Sequence, residues 1–220
     1  MITIDGPAGA GKSTVARRLA QRLGYRYLET GAMYRAMAWK VSRVGVGPEA
    51  AREFERVVRS TRIEVTPSGR VLTDGQDITE AIRSPEVGQL ASRLSALPVV
   101  REVLTRLQRE VATAGGVVLE GRDTGSVVVP DAEVKFYLDA SLEERARRRV
   151  RELAERGQPA DITRVRLELA ERDRADSSRR LAPLVRPEEA RYVDSSALSP
   201  DAVVELMLTE IERVRCCTTS

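Results

Sequence analysis

The residues best placed to do chemistry open the chain: Gly6-Pro7-Ala8-Gly9-Ala10-Gly11-Lys12-Ser13-Thr14, a glycine, four residues, then Gly-Lys-Ser. Glycines at this spacing let a backbone curl until several N–H groups point into one concavity that an anion can occupy. A lysine at the mouth reaches the β- and γ-phosphates of a nucleotide, and the adjacent hydroxyl serves a divalent cation. The chain has 36 basic residues, of which only Lys12, Lys40 and Lys135 are lysines. Retaining a lysine at this point of so arginine-biased a chain fits a loop where a compact ammonium is needed and a guanidinium is too large. There is no histidine, which excludes imidazole acid–base chemistry, serine–histidine triads and histidine metal sites.

Arginines fall where strands end or where covering segments are expected: Arg35, Arg83, Arg101, Arg122, Arg172 and Arg179. Transfer of a phosphoryl group to an anionic acceptor needs little proton transfer, because a phosphate nucleophile is already deprotonated at neutral pH. It needs cations that screen two polyanions from each other. Arg17, Arg18, Arg145 and Arg147 read as solvated helix surface. Gly121-Arg122-Asp123 is either a site or a strand-end turn with a local ion pair. Asp176 and Arg179, three apart, read in isolation as a helix-surface pair. Asp5 either orients the loop or metal-bound water, or caps a turn.

The elements that must hold these groups alternate. Met1–Asp5, Tyr25–Leu28, Val117–Glu120, Val134–Leu138 and Tyr192–Asp194 read as short strands, the inner ones apolar as in a buried parallel sheet. Helices alternate with them: 15–23, one that Thr30 can cap and that runs through Trp39 and Val41, 49–60, 99–113 opened by Pro98, 142–156 started by Ser141, 162–174, and 201–215. Residues 62–66 and 70–73 alternate as strands about a turn at 67–69, with Asp74-Gly75 as a further turn and a helix from Ser84 to about Leu94. The expectation is an α/β fold, a three-layer α/β/α arrangement on a five-stranded parallel sheet, with the site at the strands' carboxyl ends. The core is read at 1–60, 101–150 and 181–220, with a small mixed α/β insert at about 61–100 and a helical lid at about 151–180.

Composition sets outer limits. The net charge is +3 with acids and bases interspersed, so coating by nucleic acid is not implied. Aromatic content of 4% leaves few platforms for stacking bases and argues against an RNA-binding module with a relic phosphate loop. No signal peptide or membrane span is read. Cys216 and Cys217 are adjacent and near the end, unsuited to a disulfide framework; a reducing cytoplasmic location and a monomer are expected.

Gly6–Thr14, Thr30-Gly31-Ala32-Met33-Tyr34-Arg35, Val100-Arg101 with Gln108-Arg109, Gly121–Gly125, and Arg172–Arg179 closed by Ala182-Pro183-Leu184 stand in one order. Together they make the chain resemble the bacterial cytidylate kinases of the nucleoside monophosphate kinase superfamily, from Ile2 to about Met207. The resemblance implies transfer of the γ-phosphoryl of ATP to CMP or dCMP, with Mg²⁺. It implies an ATP site of Gly6, Pro7, Ala8, Gly9, Ala10, Gly11, Lys12, Ser13 and Thr14, with Ser13 on Mg²⁺, partly through water. It implies a CMP site of Thr30, Arg35, Ser92, Arg101, Arg122, Asp123, Arg172, Asp176 and Arg179, and a catalytic set of Lys12, Arg122, Arg172 and Arg179. The insert at 61–100 looks like the family's enlarged monophosphate-binding domain. Thr30 stands where serine is usual, and Glu120 where aspartate is common. UMP, AMP or a small alcohol such as shikimate is the competing acceptor.

Overall fold

A computed structural model describes residues 1–66 and 69–218, the side chains of 217 and 218 excepted. The turn read at 67–69 and the tail at 216–220 therefore fall partly outside the described residues.

The chain forms two compact units, Met1–Arg26 with Gly116–Ser220, and Tyr27–Gly115. The first unit is built on strands β1 (Ile2–Asp5), β6 (Val117–Gly121), β7 (Val134–Asp139) and β8 (Arg191–Asp194). Strand β1 pairs in parallel with β6 and with β7, and β7 in parallel with β8. The short strand β2 (Arg26–Glu29) completes the five-stranded order β2-β6-β1-β7-β8. Ile2, Ile4, Leu119, Phe136 and Leu138 are almost completely buried, as a sheet covered on both faces requires. Helices α1 (Lys12–Leu23) and α8 (Pro200–Thr218) pack on each other. Arg18 and Arg22 of α1 reach Asp201 and Glu205 of α8 at 2.5 and 2.7 Å; Arg18, and with it the exposed Arg17, is surface as the sequence suggested.

Helices α6 (Leu142–Glu155) and α7 (Ile162–Ser177) form a hairpin in the same unit. The Ser141 and Asp161 side chains accept from the amides of Glu144 and Arg164 at 3.2 and 2.8 Å, satisfying donors that the first helical turns leave unpaired. Helix α7 runs three residues past the expected Arg174, so Asp176 lies on it.

The second unit holds α2 (Thr30–Val44), α3 (Ala51–Ser60), α4 (Pro85–Leu94), α5 (Pro98–Thr113) and the antiparallel sheet β3 (Ile63–Val65), β4 (Val71–Thr73), β5 (Gln76–Asp77). Asp74 and Gly75, both at positive φ, make the β4–β5 turn. Helix α2 packs on α4, and α3 on α5, which is why the unit is wider than the stretch 61–100. Met33, Met37, Phe54, Val58, Ile78, Leu94 and Leu104 are buried within it. Thr30 does not cap α2. It is the first helical residue, and Glu29 holds the cap position without a side-chain capping bond of its own. The Glu29 carboxylate is instead taken by Arg35.

Candidate active site

In the first unit the chain leaves β1 at Asp5 and turns through Gly6 at φ 149°. A Cβ on Gly6 would lie 2.0 Å from the carbonyl oxygen of Leu138 in β7, so only glycine lets the loop leave the sheet here. Helix α1 begins at Lys12 behind Gly11, with no side-chain cap and no acidic residue in its first turn. That end presents positive potential to an anion. Lys12 is buried, and its Nζ donates to the Pro7 carbonyl at 2.7 Å. Burial is the main cause that brings its pKa down to about 7. The Arg122 and then Arg172 cations push the same way, against the pull of Glu120 and Asp5. Lysine, both arginines and both carboxylates thus share one electrostatic neighbourhood.

Ser13 Oγ donates to Glu120 Oε1 at 2.9 Å. Glu120 is buried at the carboxyl end of β6, in register with Ile4. A hydroxyl and a carboxylate are hard oxygen donors of the kind Mg²⁺ takes. Among the described residues no group of three or more His, Cys, Asp or Glu could hold a metal. This donor set fits an ion shared between one or two protein oxygens and nucleotide phosphates rather than a closed protein cage.

Asp5 caps a turn. Its Oδ1 accepts from the Thr124 amide and hydroxyl at 2.9 and 2.8 Å, and its Oδ2 from the Gly125 amide at 2.7 Å. Burial raises its pKa, although the Gly125 and Thr124 hydrogen bonds oppose this. The single π-type turn Thr124–Val128 that it caps follows Asp123, which is itself buried. Asp123 accordingly sits on a braced backbone at the end of β6.

Arg122, Asp176 and Arg179 come together. Asp176 is 1% exposed; its Oδ2 accepts from Arg122 Nε at 2.8 Å, and its Oδ1 is paired with Arg179. A carboxylate held between two guanidinium groups is not a helix-surface pair, and it fixes both cations side by side. Arg172, one turn earlier on α7, is exposed, yet its charge is felt at Lys12.

In the second unit Thr30 is buried, Arg35 pairs with Glu29, and Ser92 is half-buried on α4. Arg101 is buried on α5, donates to the Ser95 carbonyl at 3.3 Å, and lies 5.9 Å over the Tyr34 ring. Arg83 is an exposed residue beside Glu80, 3.4 Å away. The family-matched positions thus divide between the units, Thr30, Arg35, Ser92 and Arg101 in one and the rest in the other.

One reading is corrected outright. Arg145 is not surface but buried, with Nε donating to the Ala140 carbonyl at 2.9 Å, and Nη1 to the Ala8 carbonyl at 3.1 Å and to Asp173 Oδ2 at 2.6 Å. Arg148 was not singled out by the sequence. It donates to Ser195 Oγ at 3.0 Å and to the Ser195 carbonyl at 2.6 Å.

A parallel sheet with a glycine loop and a buried lysine between its first strand and helix, and cations at the carboxyl end, defines a phosphate-loop nucleotide-binding protein. The chain matches the cytidylate kinase family over residues 2–213, and it belongs to that family. It is 48% identical over 218 residues to a cytidylate kinase of Pelotomaculum thermopropionicum, covering 97% of this chain and 96% of that one. It is 48% identical over 217 residues to the cytidylate kinase of Symbiobacterium thermophilum, at the same coverage. Among solved structures, an uncharacterised protein from Eubacterium ventriosum is similar at a TM-score of 0.53 and 13% identity, covering 96% of this chain and 97% of that one. That likeness is one of fold.

Proposed function

We propose that the protein transfers the γ-phosphoryl group of ATP to CMP and dCMP, giving ADP and CDP or dCDP. It would do so as a cytoplasmic monomer, with Mg²⁺ as the metal. The observation that carries the reading is the grouping of Lys12, Arg122, Asp176 and Arg179 around the phosphate loop in a chain of the cytidylate kinase family.

The loop amides and Lys12 bind the donor phosphates. Release of the Lys12 ammonium from the Pro7 carbonyl frees it for the β- and γ-oxygens. Ser13 and Glu120 would hold Mg²⁺, which when bound neutralises phosphate charge. An oxygen of the acceptor monophosphate forms a bond to the γ-phosphorus as the bond to the β,γ-bridging oxygen breaks, and ADP leaves with that electron pair. No base is required, because the attacking oxygen already carries charge. Arg122 and Arg179 lower the repulsion between the two anions, with Arg172 alongside and Arg35 on the acceptor side. Asp123 accepts from the exocyclic amine of cytosine, whereas uracil would turn an acceptor toward it. Thr30 and Arg101 serve the same base, and Ser92, Arg172 and Asp176 the sugar. The segment near 151–180 acts as a lid and the 61–100 stretch as a second moving part, excluding water from the transfer.

The test is ADP release against CMP, dCMP, UMP and AMP, each with ATP. CMP and dCMP are expected to be turned over fastest. Faster turnover of UMP or AMP would overturn the assignment of the acceptor.

A further inference from the structure

Three observations meet on one side chain that the transfer chemistry does not use. Arg145 is 7% exposed, and a charge so placed requires partners in fixed positions. It has three. Its Nε donates to Ala140 at the end of β7, and its Nη1 is shared between the Ala8 carbonyl, inside the phosphate loop, and Asp173 Oδ2 on α7. The loop itself rests on α6. The Ala8 side chain is buried in a cluster with Ala146, Val165 and Leu169, packed against Leu142, Val150 and Leu153. A Cβ on Gly9 would come within 3.2 Å of Arg145 Cβ and 3.3 Å of its carbonyl oxygen.

Apolar packing of this kind presses the loop and the α6–α7 hairpin together but is tolerant of sliding. A buried guanidinium nitrogen bridging a loop carbonyl to one carboxylate is not. That carboxylate belongs to the residue after Arg172 and lies one turn before Asp176, which clamps Arg122 and Arg179. The other oxygen of Asp173, Oδ1, is buried with no hydrogen-bond partner among the described residues, so the ion pair with Arg145 is what orients this carboxylate.

We infer that Arg145 and Asp173 form a positioning pair, which sets the phosphate loop and the arginine-bearing helix α7 in mutual register so that loop occupancy and α7 order are coupled. The pair touches neither nucleotide. It acts through Ala8 on one side and through Arg172, Asp176 and Arg179 on the other. The inference rests on the phosphoryl-transfer reading for its kinetic consequence only.

Two measurements test it in the full-length protein. The first is hydrogen exchange of the α7 amides with and without ADP, which does not depend on the identity of the acceptor. ADP is expected to slow exchange across 170–177 at least about tenfold in the wild type and less than about twofold in Asp173→Ala. Equal protection in both proteins would overturn the inference. The second is steady-state kinetics with ATP and CMP, normalised to folded protein. Asp173→Ala should lower kcat at least about tenfold with both KM values within about threefold, and Arg145→Met combined with Asp173→Ala should be no worse than the poorer single variant. An unchanged kcat in Asp173→Ala, or effects of the two substitutions that simply multiply, would identify a scaffold role and refute the pair. If Arg145→Met does not fold, Arg145→Gln replaces it, since a shorter neutral amide cannot make the ion pair with Asp173; full kcat in Arg145→Gln would likewise refute the pair. Failure of CMP to accept phosphate in the wild type would strike the functional reading alone and leave the exchange experiment decisive.

Discussion

Lys12 shows how one side chain is tuned by what surrounds it. Buried, and flanked by Arg122 and Arg172, it has a pKa near 7 rather than the usual lysine range. The folded, ligand-free protein therefore binds fewer protons here than the unfolded chain between about pH 7 and the ordinary lysine value. Stability contributed by this site rises with pH across that window. Phosphate oxygens reverse the bias by favouring the ammonium. Binding of ADP at pH 8 should take up close to one proton, and at pH 6 almost none. Calorimetry in two buffers of different ionisation enthalpy measures this, and Lys12→Ala should abolish the uptake. The same substitution should lower transfer by at least about a thousandfold while the thermal transition stays cooperative. At the base, Asp123→Ala should narrow the ratio of CMP to UMP turnover by about tenfold while ATP affinity moves less than about twofold. The scale follows from one lost buried acceptor, about 1–3 kcal/mol; an unchanged ratio would remove Asp123 from base recognition.

Among the elements, the strand–loop–helix unit was readable in full from its glycines and the apolar run before it. The α6–α7 hairpin was readable only in outline. Arg145 was misjudged because Leu142-Glu143-Glu144-Arg145-Ala146-Arg147-Arg148-Arg149 reads as charge on every side. Yet Leu142, Ala146, Val150 and Leu153 mark the face that packs inward, and Arg145 lies three residues from Leu142 on the same stripe, which is the signal that could have found it. Thr30 was misplaced for a different reason: a threonine near a helix start suggests a cap, and only the structure shows Arg35 reaching back to Glu29 and the helix opening one residue earlier. The bond from Ser13 to Glu120 spans 107 residues of sequence and could not be read from spacing at all. The loop geometry yields its own prediction. Gly6→Ala forces a Cβ onto the Leu138 carbonyl, and should cost about 1–3 kcal/mol in urea unfolding with ADP binding lost. Unimpaired ADP binding would mean that the strand–loop junction can yield.

For the molecule as a whole, sequence order carried the architecture: five parallel-type strands, the loop after the first, and motifs in family order. What order could not supply was the division of labour between the two units, because the extent of Tyr27–Gly115 follows from helix pairs, α2 with α4 and α3 with α5, that lie far apart in the chain. Ligand linkage gives a check at this scale. ADP at a hundred times its dissociation constant should stabilise the fold by about 2.7 kcal/mol, a rise in Tm of about 5–10 °C for a chain of this size. Lys12→Ala should show almost none of it in differential scanning calorimetry.

The chain departs from the sheet-bearing unit after Arg26 and returns to it at Gly116, and the Arg26 amide donates to the Gly116 carbonyl at 2.8 Å. Exits that are hydrogen-bonded to each other make Tyr27–Gly115 a guest with its two seams side by side. Exchange of that guest at its paired seams would replace Thr30, Arg35, Ser92 and Arg101 together, while Asp123 and the phosphate loop stayed with the host at unchanged spacing.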